Sequence, residues 1–231
     1  MNRGTRRLCR LAGTCGIVGV LLILESFRIN QGPPLTASDA AFIAYAGTHA
    51  TPVLVGSFMQ LAGPALIIAF ALTLVSLAGG ERRASGLVTI FGAGALMTTS
   101  MLEVTCYIGG LFVNPPDLPR IANTFGYAVQ HLYFFVAAPA LFLPLGVVLL
   151  ESRVLPKTYA WLAVALGVTF AALGLATVDR LVLPPLVTAF AAIQALWWLA
   201  ASVTLIRRSG RIAAEIGSRR QIAAGDVGLY D

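Results

Sequence analysis

Six near-continuous apolar stretches, each long enough to cross a bilayer and each followed by a short polar joint, organise this 231-residue chain. A hydrocarbon core about 30 Å thick takes about 20 helical residues to cross, and that length selects spans over 8–28, 53–78, 87–112, 127–150, 158–178 and 184–206. Runs this continuous predict helices. The strands of a membrane barrel are about ten residues long and alternate apolar with polar, whereas a helix satisfies its own backbone where no water can. The expected fold is all-α, a polytopic transmembrane bundle of six helices forming one domain over 1–206, with a basic tail over 207–231.

The joints sharpen this picture. Those at 79–86 and 151–157 are short, which makes spans two and three, and four and five, antiparallel neighbours. The joint 29–51 is longer and opens on the helix breaker Gln31-Gly32-Pro33-Pro34. Ser38 then stands as an N-cap ahead of Ala40-Ala41-Phe42-Ile43-Ala44-Tyr45, so a short outer helix is expected near 38–48. Asn114-Pro115-Pro116-Asp117-Leu118-Pro119 reads instead as a stiff, non-helical rim.

Composition agrees with a membrane solvent: 58% of residues are hydrophobic and 11% charged, against about 45–50% and about 25% in a soluble domain. What charge there is lies on one side. Arg3, Arg6, Arg7 and Arg10 precede span one; Arg82 and Arg83 follow span two; Arg153 and Lys157 follow span four; Arg207, Arg208, Arg211, Arg219 and Arg220 follow span six. These are 13 of the 16 basic residues, and the other joints hold only Arg28, Arg120 and Arg180. The positive-inside rule then places both termini in the cytoplasm of a cell (inner) membrane. The net charge of +6 is accordingly an orientation signal with membrane lipids as its partner, not nucleic-acid affinity.

Span one has arginines ahead of its apolar run, as a secretory signal does. Glu25-Ser26-Phe27-Arg28 offers no small-residue cleavage site, so a retained helix is expected. Cys9 and Cys15 lie six residues apart on one helix, about 9 Å of rise, too far for a bridge. With Cys106 they read as small buried apolar residues. Gly13, Gly16 and Gly19 along span one, and Ala163, Gly167 and Ala171 along span five, form small-residue ridges that let helices approach closely.

Polar groups at membrane depth are the candidate chemistry. At 1.5 Å of rise per residue, Glu103 and Gln60 lie roughly 7 Å outward of their span midpoints, Glu25 and His131 about 10 Å outward, and Gln194 near the midplane. The cytoplasmic halves carry Thr and Ser but no acid, His, Asn or Gln. Glu25 is near enough to the interface to snorkel; Glu103 is not, and needs a partner or a proton. Tyr107 shares a face with Glu103, and Tyr127, Gln130, His131 and Phe134 recur at i, i+3, i+4 and i+7. Pro64 cannot donate to the carbonyl of Gln60, nor Pro139 and Pro144 to those of Phe135 and Ala140. The candidate ligand-binding set is Glu103, His131, Gln130, Gln60, Tyr107 and Gln194, opening outward. The alternative for the same residues is a hydrogen-bond network that fastens the bundle. His49 and His131 show no metal-ligand spacing, and no nucleotide-binding or hydrolase motif occurs, so neither metal nor other cofactor is expected.

Leu141-Phe142-Leu143-Pro144-Leu145-Gly146, Ser152-Arg153-Val154-Leu155-Pro156 and Tyr159-Ala160-Trp161-Leu162 with the Gly-rich span after it resemble the fourth and fifth spans of uncharacterised six-span bacterial integral membrane proteins carrying a domain of unknown function. The resemblance covers about 40 residues and implies bacterial origin and six-span architecture; it transfers no site. Three functional expectations follow from the residues. The first is binding of a small or amphiphilic ligand in an outward-facing intramembrane pocket, by a carrier, sensor or accessory subunit. The second is a membrane-embedded enzyme with Glu103 and His131 as acid and base. The third is a structural subunit, with an oligomer or a partner membrane subunit as a further possible association. An open channel is disfavoured by the unlined cytoplasmic half.

Overall fold

The computed structural model describes residues 3–177, 179 and 185–227, with the side chains of 185–188 and 219–227 outside that description. Among the described residues the chain is 85% helix with no strand. In order, the helices are α1 (Arg3–Ile29), α2 (Asp39–Leu77), α3 (Ala84–Gly109), α4 (Leu118–Leu132), α5 (Ala138–Glu151), α6 (Lys157–Ala176) and α7 (Pro185–Val227). A π-helical turn, Tyr133–Ala137, joins α4 to α5 in one rod over Leu118–Glu151, so six helical rods are long and apolar enough to cross a membrane. The π turn has a local cause. Pro139 has no N–H for Phe135 and its ring would strike that carbonyl, and widening the preceding turn relieves the clash; the Ala138 N–H bonds Tyr133 O, five residues back.

The rods form a closed ring in which α1 packs on α2 and α7, α7 on α6, α6 on α5, α5 on α3 and α3 on α2, with α4 beside α3. Its centre is aromatic: Phe70, Phe142, Phe170 and Trp198 are fully buried. Ring centroids are 5.9 Å apart for Phe70 and Trp198, 5.0 Å for Phe142 and Trp198, and 6.4 Å for Phe142 and Phe170. The outside is equally apolar. Phe58, Phe91, Leu11, Leu196 and Trp161 are each more than 60% exposed, a surface that water would not tolerate and lipid does. This is a multi-pass membrane protein.

Close approach depends on the small residues. A Cβ on Gly167 would lie 2.6 Å from Leu143 Cγ, at the crossing of α6 with α5, and one on Gly13 2.8 Å from the Ser202 carbonyl of α7. The ridges read from the sequence are therefore helix crossings.

Two expectations are corrected. The outer helix near 38–48 is not a separate element: Ser38 does cap it, accepting from the Ala41 N–H at 3.3 Å, but the helix then runs unbroken through Pro52 and Pro64 to Leu77. Proline removes one internal hydrogen bond and bends such a rod, and lateral packing carries it past the gap. Leu118-Pro119 belongs to the first turn of α4, where the missing proline N–H had no helical partner anyway. Beyond span six, α7 continues to Val227, with Ile212 and Ala213 buried. The expected joint 179–183 falls on residues outside the description, Asp179 excepted.

Arg83 reaches Glu151 at 2.7 Å at the arginine-rich end of the bundle, and Arg120 reaches Asp39 at 2.8 Å at the sparsely charged end. Both pairs are exposed and contribute little stability. They show which joints share an end.

Candidate functional site

The crossing of α1 and α2 sets the site. A Cβ on Gly19 would sit 2.7 Å from the Gly63 carbonyl oxygen, and one on Gly63 2.9 Å from that of Gly19, so the two backbones touch there. Toward the sparsely charged end the same faces carry Ser26 and Gln60, and the contact of the backbones brings their side chains together. The Ser26 hydroxyl lies within reach of Gln60 Oε1 and, at 2.7 Å, of the Ile23 carbonyl. Gln60 Nε2 donates to Glu103 Oε2 at 2.7 Å. Glu103 Oε1 accepts from the Tyr107 hydroxyl at 2.7 Å and from Gln130 Nε2 at 3.1 Å. One carboxyl group thus joins α2, α3 and α4, and Gln60 extends the network to Ser26 of α1.

Gln60 and Glu103 are 3% and 5% exposed, and among the described residues no basic side chain lies within ion-pair distance of Glu103. Burying a carboxylate without a counter-ion is costly unless hydrogen bonds replace its hydration, and three donors do so here. Glu103 lies six residues, about 9 Å, short of the end of α3.

Two residues of the candidate set lie elsewhere. His131 follows Gln130 directly, and neighbours in a helix point about 100° apart; with Gln130 on Glu103, the His131 ring turns back to the Tyr127 carbonyl, 3.0 Å from Nδ1. A carbonyl only accepts, so Nδ1 carries the proton, and Nε2 is buried without a partner among the described residues. The acid/base pair of Glu103 and His131 is not assembled in this geometry. Gln194 accepts from the Tyr133 hydroxyl in a second, separate contact between the π turn and α7. Glu25 is outside the site, paired with Arg28 at the surface.

A cleft opens at the sparsely charged end, with an interior of about 40 Å³ and walls that include Asn30, Phe42, Tyr45, Tyr107 and Asn123. Tyr107 is the connection: it lines the cleft and its hydroxyl holds Glu103. Sequence reasoning missed Ser26 and Asn30. The signal was present, because the stripe through Gly16, Gly19 and Ile23 continues at the same spacing to Ser26 and Asn30, where the face turns polar.

The carboxyl oxygens of Glu103 are occupied by amide and phenol donors, and among the described residues no three His, Cys, Asp or Glu side chains gather. Cys9, Cys15 and Cys106 are free thiols. What the site offers is one buried acid, a hydrogen-bonded rim and an approach past Tyr107. No protein-family model, curated protein or solved structure matches this chain.

Proposed function

We propose that this is a bacterial inner-membrane protein, both termini cytoplasmic, that binds a small or amphiphilic molecule in an outward-facing pocket at the sparsely charged end, as a carrier, sensor or accessory subunit. The observation that carries the reading is Tyr107, which forms a wall of the open cleft and hydrogen-bonds the buried Glu103. A ligand entering the cleft meets a side chain already coupled to the acid, so binding and the state of Glu103 are linked through one bond. The 13-to-3 division of basic residues supports the orientation, and the exposed apolar belt supports the surroundings.

One observation favours the second reading, a structural fastening: every donor around Glu103 is matched and four helices meet there. Glu103→Gln separates the two. Gln60 can turn its amide over to offer oxygen to the new amide, and the Ser26 hydroxyl can accept as well as donate, so the bundle keeps its bonds while the acid is lost. In protein purified in mild detergent, native mass spectrometry of the parent is expected to show a defined co-purifying small molecule that Glu103→Gln loses at unchanged yield. Identical spectra for the two proteins would favour the fastening.

A further inference from the structure

We propose that the furrow between α1 and α7 at the arginine-rich end binds an anionic phospholipid, its phosphate held by Arg6 and Arg10 from one helix and Arg207 from the other. The surface lies at the far end of the bundle from the cleft and does not depend on it. Basic residues at one end of a bundle set its orientation, but orientation does not require them to gather on one flank. Here they do. The packed helices α1 and α7 bring Arg3, Arg6, Arg7, Arg10, Arg207, Arg208 and Arg211 against one acid, Glu215, whereas the two joints at the same end hold Arg82, Arg83, Arg153 and Lys157 against Glu81 and Glu151. Glu215 is taken by Arg211 at 2.8 Å, and among the described residues no acid lies within ion-pair distance of Arg6, Arg10 or Arg207.

The packing of the two helices sets these side chains around one space. A Cβ on Gly16 would meet Ser202 and one on Gly13 would meet Ile206, so the helices run in opposite senses and Arg10 stands near the level of Arg207. Arg6, Arg10 and Gly13 follow at i, i+4 and i+7, which turns both arginines toward the α7 side of α1. All three arginines are exposed. Gly210 leaves the furrow open at their level, nothing lying within 4 Å of a Cβ there. A guanidinium fork matches a phosphate with two parallel hydrogen bonds, and no acid competes for these three. Away from the arginines each wall continues as an apolar stripe, Ile17 and Leu21 at steps of four from Gly13, and Val203 and Leu196 at steps of seven from Gly210. Leu21, Val203 and Leu196 are exposed along it. From Gly210 to Leu196 the furrow runs about 21 Å, enough for the acyl chain of one leaflet in a hydrocarbon core about 30 Å thick. Phosphate at one end and an acyl chain along the rest describe a phospholipid; a free phosphate would leave the apolar part unused.

Native mass spectrometry of the full-length protein in mild detergent, titrated with dioleoyl phosphatidylglycerol and separately with dioleoyl phosphatidylcholine, is the test. The parent should bind its first phosphatidylglycerol at least about tenfold more tightly than its first phosphatidylcholine. Arg6→Gln/Arg10→Gln should lose that preference, and Gly210→Leu, which fills the furrow at unchanged charge, should weaken phosphatidylglycerol at least about fivefold. Arg82→Gln/Arg153→Gln removes the same charge elsewhere at that end and should leave the preference as in the parent. Equal affinity of the parent for the two lipids, a preference that survives Arg6→Gln/Arg10→Gln, unchanged binding by Gly210→Leu, or an equal loss in Arg82→Gln/Arg153→Gln would overturn the inference. Displacement of the bound lipid by inorganic phosphate would also overturn it, assigning the arginines to a free anion. Should one furrow variant fail to fold, the other still decides.

Discussion

At the scale of single residues, Glu103 is held by partners that the sequence placed on the right faces only in part. Its level and its i, i+4 neighbour Tyr107 were legible, because an acid inside an apolar run can be located by counting rise per residue. Whether Gln130 or His131 would face it was not, since adjacent positions share a periodic stripe until packing selects a rotation. Ser26 and Asn30 were overlooked because each is a small polar residue at the end of a stripe otherwise read as packing. These assignments make opposite energetic predictions. Gln60→Leu removes a donor from Glu103 and should destabilise the protein by about 1–3 kcal/mol, coupling to Glu103→Ala by about 0.5–3 kcal/mol in a double-mutant cycle. His131→Ala shares no hydrogen bond with Glu103 and should add to Glu103→Ala within about 0.5 kcal/mol. Denaturant titrations of the three single and two double variants in detergent decide this. Strong coupling to His131 would mean the two side chains meet.

At the scale of elements, apolar length alone located all six rods, since lipid allows little else to cross it. Their ends were harder. The segment near 38–48 looked separate because it lies ahead of the apolar run over 53–78, yet the helix of α2 runs through both and through Pro52; proline's cost depends on lateral packing, which local sequence does not carry. The π turn at Tyr133–Ala137 likewise follows from the strain at Pro139 and from Gly174 of α6, where a Cβ would lie 2.8 Å from Phe135 Cα. Small-residue stripes, in contrast, were readable as crossings, and two glycines test that reading. Gly167→Leu forces α6 away from Leu143 of α5 and should cost about 1–3 kcal/mol. Gly94→Leu points into open space on α3 and should change stability by no more than about 0.5 kcal/mol. Thermal melts in one detergent compare them directly, and equal melting temperatures would mean that α5 and α6 do not approach as described.

For the whole molecule, charge and polarity divide between the two ends. Arg82, Arg83, Arg153 and Lys157 gather at one end of the bundle, and the cleft with its linked carboxylate lies at the other. The proposed function depends on which end faces out. In a variant with Cys9, Cys15 and Cys106 replaced by alanine, the exposed positions Asp117 and Glu81 report the two ends when each is changed singly to cysteine. With a membrane-impermeant maleimide on intact bacterial cells, Asp117→Cys is predicted to label and Glu81→Cys to stay unlabelled until the cells are permeabilised. Labelling of Glu81→Cys in intact cells, with Asp117→Cys protected, would turn the cleft toward the cytoplasm and contradict the outward-facing pocket.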